Sequence, residues 1–249
     1  MALELPTLSS LCLTGKKILI TGAGRGIGKQ AALSYAAQGA ELILLGKTVQ
    51  YLEETYDEIV AQGGLEPGII PLDMQGATPK NYQDMAAMLI DQYGQLDGVL
   101  FNAGVLGNLC PFTQIEVDEF NEVMQVNLNS QFHMTQALLP VLQKAPSASL
   151  IFTTSSVGRT GRAYWGTYSI SKFATEGMMQ VLADEYKNST IRVNCINPGA
   201  TQTDMRAKAF PAEKSANVTP AIEIMPYYIY LMADASKTVN GQSIDCQSK

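Results

Sequence analysis

The chain has 249 residues, 46% of them apolar, which is enough to bury a large core, and no long polar or Pro/Ser-rich linker divides it. A net charge of −6 and a pI near 4.9 give no basic footprint for nucleic acid or an anionic membrane. Cys12, Cys110, Cys195 and Cys246 are scattered, with no C-x-x-C spacing, so they argue against a disulfide framework or a zinc site and for buried thiols in a reducing compartment.

The opening "MALELPTLSSLCLTGKK" has no positive region ahead of its apolar positions, and no apolar run reaches the roughly 20 residues that span a bilayer. A cytoplasmic protein is expected. Leu3, Leu5, Leu8 and Leu11 predict an arm, residues 1–15, packed on the surface of one domain that spans residues 1–249.

"KILIT" at 17–21 predicts a first buried strand. It runs straight into "TGAGRGIG", where Gly22, Gly24, Gly26 and Gly28, with Arg25 and Ile27 between them, lead into a helix over 26–38. Glycines at a strand-to-helix turn allow close backbone approach, so a pyrophosphate can sit against the positive helix N-terminus. The spacing is G-x-x-x-G-x-G, not the usual G-x-G-x-x-G. A second strand, "ELILL" at 41–45, ends in Gly46 and Lys47 before a helix over 49–61. A third, "GIIPL" at 68–72, is followed by Asp73 and a helix over 79–93.

The fourth strand, "DGVLF" at 97–101, leads to "NAG" (Asn102, Ala103, Gly104), and a long helix over 117–144 carries "VNLNS" with Asn127. "SLIFTT" at 149–154 is the fifth strand and runs into "TSS". The next helix, 166–187, carries "YSISK". "IRVNCI" at 191–196 is the sixth strand and ends in "NPG", which contains Pro198 and Gly199. Residues 200–220 are read as a lid, because so long a connection inside a compact domain is usually a functional loop or a disordered one. A helix at 221–233 and a short strand at 242–245 complete the chain. Near-continuous aliphatic strands alternating with amphipathic helices specify an α/β fold: a doubly wound parallel sheet with helices on both faces.

The glycine turn, "NAG", "VNLNS", "TSS", "YSISK" and "NPG", in this order and on these elements, resemble the classical short-chain dehydrogenase/reductase family over almost the whole chain. Within it, "SSVGRTGRAYWGTYSISKFATEGMMQVLADEY" followed by "RVNCINPG" looks like the YciK-type bacterial oxidoreductases. The resemblance implies a Rossmann fold of about seven strands in the order 3-2-1-4-5-6-7. It also implies that Tyr168 exchanges a proton with a carbonyl or alcohol oxygen, while Lys172 hydrogen-bonds the nicotinamide ribose. A free tyrosine has a pKa of about 10, and an ammonium one helical turn away is expected to bring it toward the working range. Ser155, thirteen positions before Tyr168, is the family serine if no gap is allowed; Ser156 is the alternative. Asn127 matches the asparagine that binds a water in a proton path toward the lysine.

NAD-using members commonly carry an acid at the end of the second strand, where this chain has Gly46 and Lys47. A carboxylate repels a 2′-phosphate and a lysine attracts it, so Lys47 with Arg25 predicts NADP(H), with NAD(H) the second choice. Asp73 corresponds to the aspartate near adenine, Asn102, Ala103 and Gly104 line the adenosine ribose, and Thr201 and Thr203 stand where the family contacts the carboxamide or a phosphate. Their hydroxyls equally suit turn chemistry.

Arg159, Arg162, Tyr164 and Trp165 border the substrate cleft in this family. An arginine there binds an anionic substrate or pairs with an acid across a subunit interface, and no role is assigned. His133, the single histidine, has no visible metal partners, and Met178 and Met179 suit packing. The family dimerises through the stretches that correspond to 117–144 and 166–187. A homodimer acting on a small-molecule carbonyl or alcohol is expected, with a homotetramer as the larger assembly. The tail "GQSIDCQSK" lacks the glycine pair that usually accompanies tetramers. Two rival functions remain at this level: 3-oxoacyl thioester reduction, with Arg206 and Lys208 meeting an acidic carrier, and a catalytically silent NADP-binding scaffold.

Overall fold

In the computed structural model, which describes residues 5–247, the aliphatic runs form β1 (Lys17–Thr21), β2 (Glu41–Gly46), β3 (Gly68–Pro71), β4 (Gly98–Phe101), β5 (Ala148–Thr153), β6 (Ile191–Asn197) and β7 (Ser243–Asp245). All pair in parallel, in one seven-stranded sheet ordered β3-β2-β1-β4-β5-β6-β7. This is the predicted Rossmann topology. The helices are α1 (Gly26–Ala37), α2 (Val49–Ala61), α3 (Pro79–Tyr93), α4 (Val117–Met124), α5 (Ser130–Leu142), α6 (Gly166–Glu185), α7 (Asp204–Ala209) and α8 (Ala221–Met232).

Strand alternation sends side chains to two cores. Ile18 and Ile20 pack in the layer containing α1, α2 and α8, with Tyr35, Leu52 and Tyr228, whereas Leu19 between them packs with Tyr82, Leu138 and Met179 of α3, α5 and α6. Phe101 and Phe152 stack across β4 and β5 at 4.6 Å, within the second core. Crossovers on opposite faces separate the carboxyl ends of β1 and β4, which opens the crevice where such sheets bind ligands.

Two segments differ from the sequence expectation. The predicted 117–144 helix is divided by a π turn, Gln125–Asn129, closed by Ser130 N–H donating to the Gln125 carbonyl. The extra residue in this turn coincides with Asn127 turning fully inward, where its side chain binds the main chain of Val105. Residues 200–220, expected as loop, contain α7 and a 3-10 turn at Ser215–Asn217, and are closed by a bridge between Thr201 and Thr219. Thr203 caps α7 by accepting from Arg206 N–H at 3.1 Å, a start signal that a threonine-rich stretch hides.

In the predicted arm, Leu5 and Leu8 pack against the core of α1 and α8, Leu11 is exposed with φ 54°, and Leu3 lies outside the described residues. Among the described residues, no helix is long and apolar enough to cross a membrane.

Candidate active site

The carboxyl ends of the strands open on a cleft of about 490 Å³. At its floor, β1 turns into α1 through Gly22 (φ +69°) and Gly26 (φ +53°), both left-handed. A methyl group at Gly22 would stand 3.0 Å from Ala103 Cα, and one at Gly28 would stand 2.1 Å from the Gly22 carbonyl oxygen. Gly28 therefore permits strand–helix packing and does not line the cleft, unlike Gly22, Gly24, Arg25, Gly26 and Ile27. Thr21 Oγ1 accepts from Asn102 N–H and Ala103 N–H, each at 3.0 Å, and so ties the ends of β1 and β4 together beside the turn.

Arg25 occupies the N-cap of α1 without a side-chain capping bond, so the amides that open the helix have no side-chain acceptor and suit an anionic ligand. Its guanidinium lies 3.5 Å above the Tyr51 ring and 3.6 Å from the Asp204 carboxylate. Lys47 is exposed at the rim beside Gly46. Asp73 also lines the cleft, and one of its oxygens accepts from Gln75 N–H at 3.0 Å. A cradle too tight for side chains, an uncapped helix start and two rim cations fit a dinucleotide phosphate group with an additional phosphate nearby.

The other end of the cleft gathers Ser155, Tyr168 and Lys172. Ser155, just beyond β5, lines the cleft with Tyr168, and its Oγ accepts from Val157 N–H at 3.5 Å, whereas Ser156 enters a 3-10 turn and does not line the cleft. Lys172 is buried, and its Nζ donates to the Thr153 carbonyl at 2.7 Å, lying 5.6 Å from the centre of the Tyr168 ring. Burial pushes the Tyr168 phenol up to about 12, against a smaller downward pull from the Ser155 hydroxyl. Burial likewise lowers Lys172 to about 8, opposed by Cys195 and Glu176. The expected lowering of the tyrosine pKa by the ammonium is therefore not found: desolvation dominates, and the ammonium is bound to the β5 carbonyl.

Asn127 does not line the cleft. Its Oδ1 accepts from Val105 N–H at 2.8 Å, and its Nδ2 donates to the Val105 carbonyl at 2.9 Å and to Ser171 Oγ at 3.1 Å. Gly104, Asn102 and Ala103 do line it. Thr201 and Thr203 line it while serving the turn: Thr201 donates to the Pro198 carbonyl at 3.2 Å, and Thr203 caps α7. Pro198 and Gly199 lie in the same wall. Gln247 beyond β7 braces it, with Nε2 donating to the carbonyls of Pro198 (2.7 Å) and Ala200 (2.9 Å).

Arg159 pairs within its own chain. Its guanidinium is bound to Asp245 of β7 and lies 3.9 Å from the buried Glu176 of α6. Glu176 accepts from Ser243 Oγ at 2.7 Å, and Asn197 Nδ2 donates to Asp245 at 2.6 Å. This cluster joins the turn after Ser155, the helix of Tyr168 and the strand that leads to Pro198. Of its members only Asn197 lines the cleft; Arg159, Glu176, Ser243 and Asp245 lie outside it.

Sequence reasoning missed Tyr51, Gln247 and the apolar residues Leu106, Met205 and Phe210. Tyr51 lies in the first turn of α2, four residues after Lys47, which was a usable signal. Gln247 and the apolar residues have no motif, because they reach the site only through tertiary packing.

The family model for short chain dehydrogenase matches residues 16–214. The chain belongs to the short chain dehydrogenase family. It is 49% identical over 235 residues to the oxidoreductase YciK of Escherichia coli K12, covering 94% of this chain and 93% of that protein. The solved structure of YciK from E. coli superposes with a TM-score of 0.95 at 48% identity, covering 99% of this chain and all of that one. A short chain dehydrogenase of Shigella flexneri 2a, solved in complex with NADP, has a TM-score of 0.94 at 48% identity over 96% of this chain and 100% of that one. One from E. coli CFT073, solved with NADPH, gives the same score, identity and coverage. The YciK-type resemblance thus holds across sequence and fold.

Proposed function

We propose that this short chain dehydrogenase is an NADP(H)-dependent oxidoreductase that interconverts a carbonyl and an alcohol. The reading rests on one convergence: Ser155, Tyr168 and Lys172 meet at one end of a cleft whose other end holds the glycine turn, Arg25 and Lys47. The NADP- and NADPH-bound relatives support the cofactor assignment. Gly22, Gly24, Gly26 and Ile27 would hold the pyrophosphate, Arg25 and Lys47 the 2′-phosphate, and Asp73 with Asn102, Ala103 and Gly104 the adenosine. Lys172, Pro198, Gly199, Thr201 and Thr203 would hold the nicotinamide half.

NADPH, when bound, supplies the hydride. Ser155 and Tyr168 hold the carbonyl oxygen between their hydroxyls, and Tyr168 releases its proton to that oxygen as the carbonyl carbon is reduced. The balance is ketone, NADPH and one proton to alcohol and NADP⁺. A phenol at about 12 is protonated at neutral pH, so it is a ready acid for reduction and requires alkaline conditions to act as the base for oxidation. Lys172 keeps donors beyond its bond to Thr153 for the ribose and for a water that returns the proton. Since the Asn127 side chain is engaged, its support of that water falls to the main chain.

The exposed Phe132 of α5 and Ile170, Phe173 and Val181 of α6 support a homodimer through these helices, in a cytoplasmic protein. In a Tyr168→Phe variant, NADPH-dependent turnover is expected to fall by about 10²–10⁴ while NADPH binding is kept. Undiminished turnover would remove Tyr168 from the chemistry.

A further inference from the structure

We infer that the substrate is a neutral, apolar, ring-bearing ketone, or the matching alcohol, and not a carboxylate or a carrier-bound acyl thioester. The inference rests on the reductase reading above and concerns the wall that faces Tyr168. The Trp165 ring centre lies 5.9 Å from that of Tyr168 and 5.9 Å from that of Phe210, so three aromatic rings follow one another from the proton donor outward. Leu106 packs on Tyr168, and Met205 of α7 packs on the same small cluster. A flat apolar ring gains from such a wall through buried area and edge-to-face contact, and a methionine beside it adapts to the ring's outline.

The charges point the same way. Among the described residues that line the cleft, the cations are Arg25, Lys47, Lys172 and Arg206. Arg25 and Lys47 stand at the far end. Lys172 donates to the Thr153 carbonyl, and in the reading above its remaining donors serve the ribose and the water, not the substrate. Arg206 lies 3.7 Å over the Phe210 ring and makes two bonds to Glu213, at 2.6 and 2.7 Å, so its charge is spent in holding the lid segment. Of the two arginines in the segment between Ser155 and Tyr168, Arg159 is bound to Asp245 outside the cleft, and Arg162 is exposed and does not line it. Meanwhile Glu122 lines the cleft beside Asp204, whose carboxylate lies 3.6 Å from Arg25, and the adjoining recess adds Asp118 and Glu119 against the single cation Lys208. An anionic substrate would lose its hydration beside the aromatic wall with no free cation to replace it, and an acidic carrier would meet an acidic rim.

The test uses the intact protein with saturating NADPH at neutral pH and follows cofactor oxidation on methyl 4-acetylbenzoate, 4-acetylbenzoate and acetoacetyl-CoA. The first two share the aryl ketone and differ in a methyl ester against a carboxylate at the remote position. The neutral ester is expected to have the highest kcat/KM, at least about tenfold above the acid, because the acid must be desolvated unpaired. A Trp165→Ala variant should raise KM for the ester and leave the NADPH dissociation constant unchanged. Equal or faster reduction of the acid or of the thioester overturns the inference and leaves the reductase reading standing. Bound NADPH with no turnover of any of the three overturns the reductase reading and this inference with it.

Discussion

Gly158 lies directly against Lys172: a methyl group added at Gly158 would stand 2.8 Å from Lys172 Cβ and 2.9 Å from its carbonyl oxygen. Ordinary carbon contacts are roughly 3.5–4.0 Å, and the neighbouring atoms here are helix backbone, which cannot step aside alone. The glycine therefore sets the spacing between the turn that follows Ser155 and the helix that carries Tyr168 and Lys172. Gly158→Ala should shift α6 and cost about 1–3 kcal/mol of stability by overpacking. At a temperature where the variant is still folded by circular dichroism, its turnover should fall about tenfold to a hundredfold through misplacement of the hydroxyls. Full turnover would show that the site tolerates the shift.

Arg25 and Lys47 stand together at the rim with no carboxylate at the end of β2 to oppose them. A charge pair near a protein surface is worth on the order of 1–4 kcal/mol before screening, so Arg25→Ala combined with Lys47→Ala should raise KM for NADPH at least about tenfold. KM for NADH should change little. The effect should shrink as salt rises, and loss of NADH use in parallel would argue against a 2′-phosphate site.

Lys172 is lowered to about 8 from its ordinary 10.5 by burial. Between those values the unfolded chain binds more protons than the folded one, so the Lys172 contribution to stability grows as pH rises through that window. Tyr168 has the opposite sign: raised from 10.0 to about 12, it binds its proton more tightly when folded, and its contribution is lost as pH rises between those values. Urea melts of wild type and Lys172→Met should therefore diverge in favour of wild type from about pH 8 to about pH 10. A difference that stays flat over that range would show that the lysine is not desolvated.

Arg159 holds Asp245 and faces Glu176, which is only 5% exposed. Removing the guanidinium leaves an acid buried without its cation. Because Arg159 is itself about a third exposed, the cost of Arg159→Met is discounted to about 1–3 kcal/mol. Adding Glu176→Gln should recover part of that loss, since the stranded charge is gone. A strictly additive double variant would mean that the two groups do not interact.

The strands were legible because residues buried on both faces of a parallel sheet must be aliphatic throughout, and all seven fall within a residue or two of their predicted bounds. Tyr168 and Lys172 were legible for a local reason as well, since four residues of helix bring them to one face. The division of the 117–144 helix was not, because the π turn answers to the contact of Asn127 with Val105, a residue 22 positions away. Arg159 could not be assigned from sequence, since its partner Asp245 lies 86 residues on.

By itself, the sequence determined the alternation of buried strands with helices and the glycine turn between the first of each, because both are written in local spacing and in the types of side chain that a buried strand accepts. Tertiary structure alone decided how the site residues are charged and what they face. Desolvation raises Tyr168 although a lysine sits nearby, Glu213 and Asp245 occupy Arg206 and Arg159, and α7 brings Phe210 beside Trp165 to make an apolar wall. Burial and long-range pairing set those properties, and neither has a period that a linear sequence displays.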